Sequence, residues 1–118
     1  MLSQKYRFHG HGSLNYVFKN GRKARDKYIG LRVTPNPRRK HTRVAVVVSK
    51  KIFKSATKRN RIRRRIYETV RHEIPNYEGV YDIVITVLSP EIINTTPTEL
   101  TDSINEVSAT LGLYDKAT

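Results

Sequence analysis

Residues 43–66 read RVAVVVSKKIFKSATKRNRIRRRI, and within them the apolar spacing changes from every second position to every fourth. Val44, Val46 and Val48 share one face of a strand over 43–49, and Ala45, Val47 and Ser49 the other. Apolar side chains on both faces predict a central position in a sheet. After a connector over 50–57, a helix is expected from about Lys58 to Glu73, with Ile62, Ile66, Thr69, Val70 and Ile74 as its buried stripe. Pro75 bars its continuation, because proline has no amide hydrogen to donate.

The flanking sequence fills in around this pair. Ser13 is placed to cap a short helix carrying Leu14, Val17 and Phe18, which Asn20-Gly21 ends. Residues 27–34 (KYIGLRVT) read as a strand stopped by Pro35, and 36–42 (NPRRKHT) as a basic loop. Residues 80–88 (VYDIVITVL) form a further strand. Thr98 is expected to cap a last helix with Leu100, Ile104, Val107 and Leu111 on one side, ended by Gly112. The fold class is therefore α+β, one domain over 1–118, in the order α-β-β-α-β-α. A β-α-β crossover runs through the basic helix, and the helices are expected on one face of a small mixed sheet.

Charge is divided along the chain more sharply than its total suggests. Of the 23 Lys and Arg, 22 lie in residues 1–72 with only Asp26 and Glu68 as acids, a balance of +20. Residues 73–118 hold Lys116 and eight acids, a balance of −7. Such self-repulsion is tolerable in a chain whose usual partner is a polyanion. Nucleic acid fits; an acidic membrane surface would call for an amphipathic anchor or lipidation signal, and the sequence offers neither. There is no cysteine, which excludes disulfides and thiolate zinc sites. No signal-peptide run or membrane-length apolar stretch is present, so a soluble cytoplasmic protein is expected.

The densest charge lies on the predicted helix. Lys58, Arg59, Arg61, Arg63, Arg64 and Arg65 fall within eight residues, with Asn60 among them. Ile62 and Ile66 take the inner face, so the guanidinium groups fan over the outer ones. Arg61, Arg64, Arg65 and Glu68 share one outer sector, and Asn60, Arg64, Tyr67 and Arg71 the next. No acid interleaves before Glu68, so salt-bridge decoration explains the run poorly. Arginine's planar fork matches phosphate oxygens and stacks on bases. The pattern is the electrostatic footprint of RNA or DNA binding.

Ser49-Lys50-Lys51 at a strand end, followed after a connector by Arg59-Asn60-Arg61 on a helix, resembles the protein subunit of bacterial ribonuclease P. Phe18-Lys19-Asn20-Gly21 resembles the Phe-x-x-Gly that closes the first helix of that family. The resemblance spans about residues 5–113. It implies three helices around a largely antiparallel sheet, with a left-handed crossover. It implies an RNA subunit that removes the 5′ leader of precursor tRNA, a protein that helps hold the catalytic magnesium, and a monomeric protein in a one-to-one complex. With carboxylates so sparse in the basic half, magnesium is expected to be held mainly by RNA. By the same resemblance, Lys50, Lys58, Arg59, Asn60, Arg61, Arg63, Arg64 and Arg65 contact the RNA subunit. Leu14, Phe18, Arg32, Val47 and Lys51 line the leader cleft. Leu14 and Arg32 stand where aromatics are common in the family, so leader contact here is expected to lean on charge more than stacking.

The residues themselves offer no catalytic centre. A two-metal nuclease needs clustered carboxylates, and those of the acidic half are scattered. His9 and His11 form a pair without an evident third ligand, and His41 and His72 lie among basic residues. No catalytic or metal-ligating residue is therefore expected in the chain. Tyr6, Tyr16, Tyr67 and Tyr77 are divided between core positions and stacking surfaces for RNA. A structural RNA-binding protein would share this composition; only the Ser-Lys-Lys to Arg-Asn-Arg spacing argues against it.

Overall fold

The computed structural model describes residues 11–114, with side chains from Tyr16 onward. Helix α1 (His11–Asn20) precedes strands β1 (Arg22–Arg25), β2 (Ile29–Pro35) and β3 (Arg43–Val47). Helix α2 (Ala56–Glu73), strand β4 (Tyr81–Val87) and helix α3 (Pro97–Thr110) follow. Short 3-10 turns, Ile74–Asn76 and Pro90–Asn94, sit at either end of the β4 segment. The sheet order is β1-β2-β4-β3. β4 runs antiparallel to β2 and parallel to β3, the pairing that a helical crossover through α2 permits.

Alternation along the strands sorts the core into two layers. Ile29, Leu31 and Val33 of β2, Val44 and Val46 of β3, and Ile83, Ile85 and Val87 of β4 form one buried cluster. Ile62, Ile66 and Val70 of α2 and Leu100, Ile104 and Val107 of α3 close it. Each such side chain contributes roughly 1.5–3 kcal/mol on burial, so this layer holds most of the fold's stability. The intervening positions face the other way. There Val17 of α1 packs with Ala45 and Val84, joined by Phe18 and Val47. The helices thus cover both faces of the sheet, not one.

Strand β3 lies at the sheet edge, against the central position its composition predicts. Its two apolar faces record cover by α2 on one side and α1 on the other, and say nothing of a second neighbouring strand. The Val46 N–H donates to the Tyr67 hydroxyl at 3.2 Å, a helix side chain in place of a strand. Tyr67 is accordingly buried, not in the outer sector with Asn60 and Arg64. Tyr77 is buried as well; its hydroxyl lies 3.0 Å from Ser108 Oγ, and burial pushes it up to about 12.

Strand β1 has no counterpart in the expected order. Three of its four residues are charged and it is mostly exposed, so it carries no apolar period. Asp26 fixes it: Oδ1 accepts from Tyr28 N (2.8 Å) and Ile29 N (2.9 Å), and Oδ2 accepts from Ser103 Oγ of α3. One of the two acids of the basic half is therefore a turn anchor.

Helix α2 starts at Ala56, two residues before the expected Lys58, and the cap of α3 moves back by two. Ser55 caps α2, accepting from Lys58 N at 3.3 Å. Thr96, not Thr98, caps α3 in a reciprocal box with Glu99, with Pro97 opening the helix. Gly112 ends α3 with φ 73°, as its position suggests. Gly21 ends α1 without a left-handed backbone, and its role is a close approach. A Cβ there would lie 2.5 Å from Val17 O and 3.2 Å from the Val33 backbone, so glycine lets the end of α1 touch β2. Gly21→Ala is expected to lower the unfolding free energy by ~1–3 kcal/mol, the range for forcing extra volume into a packed contact. Urea denaturation of the purified protein measures it; unchanged stability would show that α1 moves off β2 without cost.

Candidate nucleic-acid interface

The junction between β3 and α2 is held by main-chain carbonyls. Ser49 O accepts from Ile52 N (3.1 Å) and Phe53 N (3.2 Å), forming a turn that buries Phe53 and leaves Lys50 and Lys51 exposed. Arg59 Nη1 then reaches back to Phe53 O and Lys54 O, both at 2.9 Å. The spacing from Ser49-Lys50-Lys51 to Arg59-Asn60-Arg61 is thus the length of chain that lets this guanidinium clasp the turn.

The remaining basic residues of α2 divide by what they touch. Arg65 turns toward the 3-10 turn before α3, donating to Thr95 O at 2.8 Å and Ile92 O at 3.4 Å. Arg63 donates to Asn60 Oδ1 at 2.7 Å, which orients the amide and leaves its NH2 as a donor. Lys58, Asn60, Arg61 and Arg64 are exposed. Thr57, Asn60, Arg61 and Arg64 line a shallow concavity that no carboxylate enters. Farther along, Glu68 pairs with Arg71, beyond the densest charge. The first turn of α2 has no acid, so positive side chains stand where the helix dipole is also positive. An anion at this end is favoured by both.

The other sheet face carries the second set of predicted residues. Arg32 Nη1 donates to Phe18 O at 2.8 Å, and its guanidinium lies 5.1 Å from the centre of the Phe18 ring. Val47 packs against the same small cluster as Phe18. A groove of about 430 Å³ opens beside them, lined by Phe18, Arg32, Lys23, Arg25, Gly30 and Thr86 among others. Phe18, Arg32 and Val47 are thus brought to one face, while Lys51 stands exposed on the turn beyond β3. The side chains of His11 and Leu14 are outside what the structure describes, as are Tyr6 and His9 altogether. Lys23 and Arg25 escaped the sequence reading with β1 itself, whose four residues RKAR carry no apolar period to mark a strand.

At the far end of this face Asp82 is buried. It takes Arg43 in a two-point contact (Nε–Oδ1 2.9 Å, Nη2–Oδ2 2.8 Å) and accepts from Asn36 Nδ2 at 2.9 Å. Hydrogen bonding to Asp82 holds the Arg43 guanidinium above its ordinary range. Among the described residues no three His, Asp or Glu gather into a possible metal cage. No described helix is long and apolar enough to cross a membrane.

Residues 2–112 match the family model for ribonuclease P. The chain is 35% identical over 103 residues to the ribonuclease P protein component of Chloroflexus aurantiacus, covering 87% of this chain and 75% of that one. Its fold superposes on the Staphylococcus aureus RNase P protein with a TM-score of 0.81 at 21% identity, covering 93% of this chain and 98% of the other. The Thermotoga maritima RNase P protein gives 0.78 at 20% identity, with 95% and 98% covered. The Ser-Lys-Lys turn, the arginine face it positions and the match along nearly the whole sequence agree: the chain belongs to the bacterial ribonuclease P protein family, the protein subunit of a tRNA-processing ribonucleoprotein.

Proposed function

We propose that the chain binds ribonuclease P RNA through the N-terminal half of α2 and holds the single-stranded 5′ leader of precursor tRNA against the α1 face of the sheet. The observation that carries this reading is the concavity of Thr57, Asn60, Arg61 and Arg64, basic and free of carboxylates, on a helix anchored from behind. Bidentate arginine contacts to phosphate suit it, with the Asn60 amide as a directional donor. Lys50 and Lys58 add charge at its margin. Arg59, Arg63 and Arg65 already make internal hydrogen bonds, so their part is chiefly to hold and orient this face.

The leader would run past Phe18, Arg32, Val47 and Lys51. The Phe18–Arg32 pair offers a guanidinium plane in place of a second aromatic, and a guanidinium both stacks on a base and attracts the phosphate beside it. Contact here therefore leans on charge, with less of the ~1–3 kcal/mol per base that aromatic stacking supplies. We assign bond cleavage to the RNA subunit, with magnesium held mainly by RNA. The protein binds, screens phosphate repulsion and positions the leader, as a monomer in a one-to-one complex.

Reconstitution tests the reading. Purified protein is mixed with precursor tRNA at low magnesium, with and without a ribonuclease P RNA. Stimulated cleavage at the mature 5′ end is expected only when that RNA is present. Cleavage by the protein alone would overturn the assignment of catalysis to RNA, and no effect in either mixture would favour a structural RNA-binding protein. Salt dependence tests the face itself. With about six phosphates neutralised, log K for the RNA subunit is expected to fall with log salt at a slope of roughly −4 to −5. Arg61→Ala with Arg64→Ala is expected to flatten that slope by about two. Arg65→Ala is expected to keep the slope and lower the unfolding free energy by ~1–2 kcal/mol, because its bonds are internal. An unchanged slope in the Arg61/Arg64 variant would remove that concavity from the interface.

A further inference from the structure

We propose that Tyr16 and the loop after β2 form a second contact for one unpaired RNA nucleotide, at the end of the sheet opposite the Ser49–Lys51 turn. This deepens the functional reading above and rests on it for the source of the nucleotide. Tyr16 is 60% exposed, the one large apolar side chain so exposed among the described residues. A single exposed tyrosine carries little by itself; its surroundings carry the argument. A groove of about 400 Å³ lies beside the ring, lined by Thr34, Pro35, Asn36, Pro37, Arg38 and Asp82. The strand register sets its place: Thr34 and Arg43 both pair with Asp82, whereas Val47, toward the Ser49–Lys51 turn, pairs with Thr86.

The groove is built, not merely open. Asn36 N donates to Val80 O at 2.8 Å and its side chain to Asp82, while Arg39 N closes a turn onto Asn36 O at 3.2 Å. Pro35 and Pro37 fix the backbone on either side of Asn36. At the loop's far end buried Thr42 accepts from Tyr81 N at 3.1 Å. The carboxylate in the groove is already matched by Arg43, so it does not repel an anion. Arg38, Arg39 and Lys40 stand exposed beyond it. An aromatic face from α1, with two proline rings and a guanidinium on a loop pinned at both ends, offers a base a stacking surface and its phosphate a cation. With Asp82, the carboxylate lining the groove, paired to Arg43, an anionic ligand with a flat apolar part fits best, and a nucleotide has both.

The test compares Tyr16→Ala, Tyr16→Phe and Arg38→Ala with the unaltered protein in three binding assays. In the first, short single-stranded oligoribonucleotides are titrated into the protein alone. In the second, the ribonuclease P RNA is titrated without substrate. In the third, the reconstituted holoenzyme binds precursor tRNAs whose leaders are lengthened one nucleotide at a time. Tyr16→Ala is expected to weaken oligonucleotide binding about five- to tenfold, the scale of one lost base stack, with Tyr16→Phe retaining it. Arg38→Ala is expected to reduce the salt slope by about one. Loss confined to the longer leaders assigns the nucleotide to the leader; loss for the RNA subunit alone assigns it there. Variants that match the unaltered protein in all three assays would overturn the site. Failure of the holoenzyme to assemble would instead overturn the functional reading, and the oligonucleotide assay would still report on Tyr16.

Discussion

The constraint on which this structure depends is a shortage of carboxylates where arginine is densest. The first 72 residues carry two acids against 22 basic side chains, yet guanidinium groups must still be packed against a folded core. The solution is arginine bonded to main-chain carbonyl. Arg32 reaches Phe18 O, Arg59 reaches Phe53 O and Lys54 O, and Arg65 reaches Thr95 O and Ile92 O. A carbonyl satisfies the donor without cancelling the charge. Each of these arginines therefore ties two elements together and still contributes to the positive field. Ion pairing would have given similar rigidity while erasing the property for which the residues are suited.

The acidic half of the chain is not a separate body set apart from the basic half. Its strand β4 lies between β2 and β3, so the sheet closes only when the two halves interleave. Asp82 marks the seam: a carboxylate from the acidic half receives Arg43 and Asn36 from the basic one, beneath the loop that carries Arg38. Removing one partner of such a buried pair leaves a charge without compensation, which is costlier than never having placed it. The pair thus ties the geometry of the basic loop to correct assembly of the sheet.

What the sequence revealed depended on periodicity, and where periodicity was absent the reading failed. The apolar stripes of α2 and α3 and the alternation of β2, β3 and β4 were legible, because each buries one face against a common core. β1 was not, because Arg22–Arg25 has nothing apolar to repeat and is held through Asp26 and its partner strand. The rank of β3 within the sheet was also hidden: valines on both faces report helices above and below as readily as strands on either side. Tyr67 looked like part of a basic sector by spacing, and only its bond to Val46 N places it inside. For the site, the Ser-Lys-Lys to Arg-Asn-Arg spacing was legible as a motif. Its physical meaning, one arginine clasping the turn while its neighbours face outward, needed coordinates.

That division within one motif bears on how α2 is stable at all. Positive side chains crowd its N-terminal end with no acid in the first turn, an arrangement that costs stability in an isolated helix. The Ser55 cap and the burial of Ile62, Ile66, Tyr67 and Val70 offset it. The Arg59 bonds draw one guanidinium away from the crowd, back over the connector, with its charge intact. What remains outward, Lys58, Asn60, Arg61 and Arg64, is a patch whose mutual repulsion is relieved by a polyanion. Under the proposed role, binding energy here would have two sources, the new phosphate contacts and the repulsion removed. The helix is held rigid by its neighbours, so neither would be lost to rearrangement when a polyanion binds.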